Sequence, residues 1–150
     1  MQKTLPSRTG GGVSILLVDD NSHGLVARRT ILEELGHRVI TACSGDEALH
    51  RFSSQSFDLV ITDYRMPKMD GMQLIKRLRA LRPALPIIMV SGFVEPLGLS
   101  EATTGADAVI GKTANEVSQL IRAVTRLVNR RKPPASNRSS ARAKSKGGAA

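Results

Sequence analysis

The chain has 150 residues, 41% of them hydrophobic and 23% charged, with a formal net charge of +9. No apolar run approaches the ~20 residues a membrane helix needs, and the polar, glycine-containing start from Met1 to Gly12 lacks the apolar centre of a secretory signal. Cys43 is the only cysteine, which excludes an internal disulfide and suits a reducing, cytoplasmic setting.

The charge is unevenly placed. Residues 129–150 carry Arg130, Arg131, Lys132, Arg138, Arg142, Lys144 and Lys146 and no acidic group. That segment also holds paired prolines, serines and Gly147-Gly148, so it cannot bury enough surface to offset its ordering entropy. The expected organisation is a flexible lead over 1–12, a folded domain over 13–128 and a basic, disordered tail over 129–150.

Strand and helix signals alternate within the domain. Val13–Val18 reads as a buried strand ending at Asp19-Asp20. Leu25, Ile31, Leu32 and Leu35 share one side of a helix that stops at Gly36. Arg38–Ala42 is a short strand, and Ser44-Gly45-Asp46-Glu47 is a capping box opening the second helix. Leu59–Thr62 is a strand that ends at Asp63. Asp70 caps the third helix with Gln73 reaching back, and Leu74, Ile75, Leu78 and Leu81 form its apolar face. Ile87–Val90 is a strand ending at Ser91, followed by a helix near Glu95–Thr103 that Pro96, Gly98 and Gly105 keep short. Ala108–Ile110 is the fifth strand, leading through Gly111 to Lys112. Thr113-Ala114-Asn115-Glu116 is a further capping box, and the last helix presents Val117, Leu120, Ile121, Val124, Leu127 and Val128 on one face.

Five βα units of this kind specify a parallel sheet covered on both faces. Parallel strands bring Asp19, Asp20, Asp63, Ser91 and Lys112 to one edge, where open α/β folds place their chemistry. Three carboxylates gathered there repel one another, and a divalent cation plus an ammonium group would relieve that repulsion.

These residues also carry a family resemblance. Val18-Asp19-Asp20-Asn21, Asp63-Tyr64-Arg65-Met66-Pro67-Lys68-Met69-Asp70-Gly71, Val90-Ser91-Gly92 and Gly105-Ala106-Asp107 ahead of Lys112 resemble the receiver domain of two-component response regulators, the CheY-like fold. The resemblance covers about residues 13–128. It implies a flavodoxin-like (βα)5 α/β fold with strand order 2-1-3-4-5 and helices on both faces. It implies Asp63 as phosphoacceptor, charged by a histidine kinase or phosphotransfer protein. It implies Mg²⁺ held by Asp20, Asp63 and the backbone carbonyl of Arg65, with Asp19 acting through a coordinated water. Lys112 would pair with Asp63 and then with the phosphoryl oxygens, and Ser91 would donate a hydrogen bond to the phosphoryl group. Such a domain signals through a downstream protein partner or serves as a phosphate sink. It is not an enzyme beyond its own phosphorylation and dephosphorylation. With no second domain expected after residue 128, a two-domain transcription factor is not expected.

Two positions depart from the family pattern. Val109 stands three residues before Lys112, where the family usually has Tyr or Phe, and Thr113 follows Lys112 where it usually has Pro. A cis bond before a non-proline residue costs about 2.5–4 kcal/mol, so a trans Lys112–Thr113 bond is expected. Both departures fall on the readout side and motivate an alternative, a pseudo-receiver that binds partners without switching. A haloacid-dehalogenase-type phosphatase is disfavoured, because Asn21 and Ser22 stand where a second Asp would be needed. Nucleic-acid binding is reduced to nonspecific, salt-dependent contact by the tail, which has no aromatic residue for stacking. His23, His37 and His50 show no metal-ligand spacing, and Cys43 is expected to be a small packed residue.

Overall fold

The computed structural model describes residues 12–131. The elements are β1 Ser14–Val18, α1 Ser22–Glu34, β2 Arg38–Ala42, α2 Gly45–Ser54, β3 Leu59–Asp63, α3 Gly71–Leu81, β4 Ile87–Ser91, α4 Val94–Leu97, α5 Glu101–Thr104, β5 Ala108–Gly111 and α6 Glu116–Arg131. The five strands form one parallel sheet in the order β2-β1-β3-β4-β5. All but the last residue of the expected lead and all but the first residues of the expected tail lie outside the described residues. The last helix runs to Arg131, three residues past the expected edge of the domain.

The strands are apolar on both sides because both faces of the sheet are covered. Ile15, Leu17, Ile61, Ile88 and Val90 face Leu25 and Leu32 of α1 and Leu120, Val124 and Leu127 of α6. Leu16, Val18, Val60, Ile87 and Met89 face Ala48 of α2 and Leu74, Ile75 and Leu78 of α3. Successive strand residues therefore feed opposite cores. Burying each large aliphatic side chain contributes about 1.5–3 kcal/mol before entropy is counted.

Helix ends follow the expected chemistry with specific differences. Asp70 and Gln73 form the reciprocal capping box of α3. At α2 the Ser44 side chain accepts from the Glu47 N–H, but Glu47 reaches one residue further back, accepting from the Cys43 N–H at 2.8 Å. That turn leaves Cys43 exposed, not packed. At α6 the expected box is absent: Thr113 Oγ1 accepts from Asn115 N–H, and the Glu116 carboxylate turns away to Arg28. Leu35, Leu81 and Val117, assigned to apolar faces, are 45%, 61% and 47% exposed. All three sit at helix ends. The expected helix over Glu95–Thr103 is two short pieces, divided where Gly98 takes a φ of +63°. Lys112–Thr113 is trans, as are all peptide bonds among the described residues. No helix among them is long and apolar enough to cross a membrane.

Candidate functional site

The carboxyl ends of β1, β3, β4 and β5 converge on one edge. Val18 pairs with Thr62 and Ser91 with Gly111, so Asp19 follows beside Asp63 and Lys112 follows beside Ser91. Oxygens of Asp19, Asp20 and Asp63 lie within 4.8 Å of one another. Asp19 and Asp63 are buried and Asp20 is exposed.

Local backbone chemistry fixes each group. The Asp19 N–H donates to Ala42 O at 3.1 Å, which anchors the end of β1 on β2. Asn21 then caps α1, its side chain accepting from the His23 and Gly24 N–H groups, while its own N–H donates to Asp19 Oδ1 at 3.0 Å. Asp63 is held from behind, since the Gly71 N–H donates to Tyr64 O at 2.7 Å. Gly71 allows that approach: a Cβ there would lie 2.3 Å from Asp63 O. The Lys112 N–H donates to Ser91 O at 3.0 Å, and its Nζ stands 3.0 Å from Asp63 Oδ1. Ser91 is buried, its Oγ accepting from the Phe93 N–H at 2.9 Å. Arg65 leaves the site exposed, with its guanidinium 4.5 Å above the Phe93 ring; Tyr64 and Phe93 rings meet at a tilt, 6.4 Å apart.

Burial pushes the Asp63 carboxyl above its ordinary range; the Asp19 charge adds to this, and Lys112 and the Tyr64 N–H oppose it. Asp63 is thus a carboxylate whose charge is costly as it stands. A hard cation would relieve that cost, and the donor set, carboxylate oxygens alone, fits Mg²⁺ and not a soft metal.

One site-bordering residue, Arg28, escaped the sequence reading, and its partner Glu116 was expected only as half of a capping box. Arg28 of α1 is buried, its Nη1 donating to Asp19 Oδ2 at 2.8 Å and its Nε to Glu116 Oε2 at 2.7 Å. Its burial disfavours the guanidinium charge, yet Glu116 and Asp19 together hold its pKa above the ordinary value. The signal was present: Arg28 lies three residues after Leu25 and four before Leu32, a charge set inside an apolar stripe.

Comparison with known proteins gives one answer. The family model described as the response regulator receiver domain matches residues 15–125. The alkaline phosphatase synthesis transcriptional regulatory protein PhoP of Bacillus subtilis is 35% identical over 118 residues, covering 75% of this chain and 48% of that protein. A CheY-like response regulator receiver domain protein of Methanospirillum hungatei JF-1 superposes with a TM-score of 0.72 at 30% identity, over 80% of this chain and 96% of that one. The response regulator protein TrrA of Thermotoga maritima, solved in complex with Mg²⁺-BeF, gives a TM-score of 0.69 at 30% identity over 76% of this chain and 97% of that one. The chain spans less than half the length of the curated relatives it matches.

Proposed function

The chain belongs to the receiver-domain family of two-component response regulators, and from that premise we propose that it is a working phosphoacceptor, modified on Asp63. Receiver domains are signalling domains, not classical enzymes. The observation that carries the proposal is the Lys112 ammonium 3.0 Å from Asp63 Oδ1, beside three carboxylates gathered within 4.8 Å.

An Asp63 oxygen attacks the phosphorus of a phosphohistidine on a histidine kinase or phosphotransfer protein. The O–P bond forms as the P–N bond breaks, and the electron pair leaves on the imidazole, which takes up a proton from water. Lys112 moves from the carboxylate to the phosphoryl oxygens it now carries. Ser91 gives up the Phe93 N–H and donates its hydroxyl to the same group. Asp19, Asp20, Asp63 and the Arg65 carbonyl would hold Mg²⁺, which supplies charge neutralisation during transfer. The phosphorylated domain then engages a downstream protein or stores the phosphate, in the cytoplasm. Calorimetry tests the site: beryllofluoride with Mg²⁺ should bind the wild type and not Asp63→Asn, and equal binding by both would reject Asp63.

A second reading, a pseudo-receiver that binds without switching, draws on Val109 and Thr113. It gains if phosphodonor and Mg²⁺ leave partner affinity unchanged.

A further inference from the structure

We propose that Arg28 is a built-in counter-ion of the acidic site, competing with the metal for Asp19, and that Glu116 tunes this competition; the inference rests on the Mg²⁺-dependent reading above. Arg28 is only 7% exposed and lies between Leu25 and Leu32 on the face that α1 turns to the sheet. A buried guanidinium carries a desolvation cost, and packing alone would be met by an apolar side chain of similar size; with Asp19 buried beside it, removing the guanidinium alone leaves that carboxylate without its partner. Packing therefore does not account for an arginine here.

Its partners do. Of the three clustered carboxylates, Asp63 is paired with Lys112, Asp19 with Arg28, and Asp20 is exposed. The two internal cations differ in freedom. The Lys112 side chain is about a third exposed, whereas Arg28 is enclosed and bonded at both Nη1 and Nε. Gly24 is a second, independent sign that this pair is specified. A Cβ there would lie 2.7 Å from Asp19 Oδ2 and 3.0 Å from Arg28 Nη1. The helix thus carries a glycine in its first turn, despite glycine's poor helix propensity, at the point where the pair meets.

A cation drawn into the cluster must share Asp19 with a guanidinium that repels it. Glu116 draws the same guanidinium from the far side through Nε and weakens its hold on Asp19. Between α1 and α6 a cavity of about 400 Å³, lined by Asp19, Arg28, Lys112 and Glu116 among others, adjoins this network. Arg28 keeps the metal-free cluster folded and lowers metal affinity; Glu116 restores part of that affinity.

Titration of the full chain with MgCl₂ by calorimetry, beside thermal unfolding with and without Mg²⁺, tests this. Arg28→Met should tighten Mg²⁺ binding roughly tenfold, lower the metal-free Tm, and enlarge the Tm rise that Mg²⁺ produces. Glu116→Gln should weaken Mg²⁺ binding a few-fold, about 2–5-fold. That weakening should vanish in the Arg28→Met background, because it acts through Arg28. Unchanged or weaker Mg²⁺ binding by Arg28→Met would leave Arg28 as packing only and overturn the proposal. Should Arg28→Met fail to fold, Glu116→Gln decides alone, and unchanged or tighter binding by it overturns the proposal. A wild type that binds no Mg²⁺ overturns the reading of the site as well, which separates the two failures.

Discussion

The two flanks of the acidic site are built differently. On one flank, α1 and α6 have 13 and 16 residues and are joined by the Asp19–Arg28–Glu116 network, buried at Asp19 and Arg28. On the other, α4 and α5 have four residues each, with Gly98 and Gly105 both at positive φ between and after them. Ser91 belongs to this second flank, its hydroxyl accepting from the Phe93 N–H. A segment of short helices, turns and few buried apolar contacts opens at low free energy, whereas long helices packed on a sheet do not. For the proposed phosphoacceptor, a response is therefore cheapest on the α4–α5 flank. Val109, which replaces the usual ring, lies on the β5 edge of the movable flank. Position 109 itself has no ring to reorient.

The largest expected effect tests the group between the flanks. Lys112→Ala should slow phosphorylation by a small phosphodonor about 10²-fold or more, the loss expected for one positioned charged donor. Its stability should change by less than about 1 kcal/mol, since the pair is partly exposed. A mass time course and a urea midpoint read the two separately. Next comes Gly71→Ala, whose Cβ would meet the backbone of Asp63 and Tyr64 at 2.3 and 3.0 Å. Backbone cannot yield as a flexible side chain can, so a loss of about 1–3 kcal/mol or more is expected in urea unfolding. Both flanks should lose protection together, because both depend on the end of β3. Gly98→Ala sharpens the contrast: it places a side chain at φ +63° and should cost about 1–2 kcal/mol. Hydrogen exchange should then quicken over α4 and α5 alone, with Mg²⁺ affinity unchanged. Faster exchange in α1 would break the proposed division.

The smallest effect is a pH dependence. Burial raises the Asp63 carboxyl in the folded state, so the native protein holds a proton there that the unfolded chain has lost. Stability contributed by this group therefore falls as pH rises through the range just above the ordinary aspartate value of 3.8. In Mg²⁺-free buffer, wild type minus Asp63→Asn should show that decline, and a flat or rising difference would contradict it.

Much of this was legible in the chain because the informative residues end apolar runs. Asp19, Asp20, Asp63 and Lys112 each follow a strand, and parallel strands with right-handed crossovers leave them one edge on which to meet. Asp70 with Gln73 was equally direct, because both halves of a capping box are local. What stayed hidden depends on groups far apart in sequence. Glu116 has the spacing of a cap residue, and only the packing of α1 beside α6 gives it Arg28, 88 residues away. Arg28 itself was overlooked because a helix face read by its apolar members hides the charged one among them. The turn from β2 into α2 exposes Cys43, and the exposure of Leu35, Leu81 and Val117 reflects their places at helix ends, which periodicity alone does not mark.

The role proposed for Asp63 is to accept a phosphoryl group in a Mg²⁺-dependent way. Its most direct test is the intact mass of the wild type and Asp63→Asn after incubation with acetyl phosphate, with and without Mg²⁺. A phosphoacceptor at Asp63 gives a single phosphoryl adduct on the wild type only, and only with Mg²⁺. An adduct that persists in Asp63→Asn, or a wild type that gains none and also binds no beryllofluoride, would contradict it.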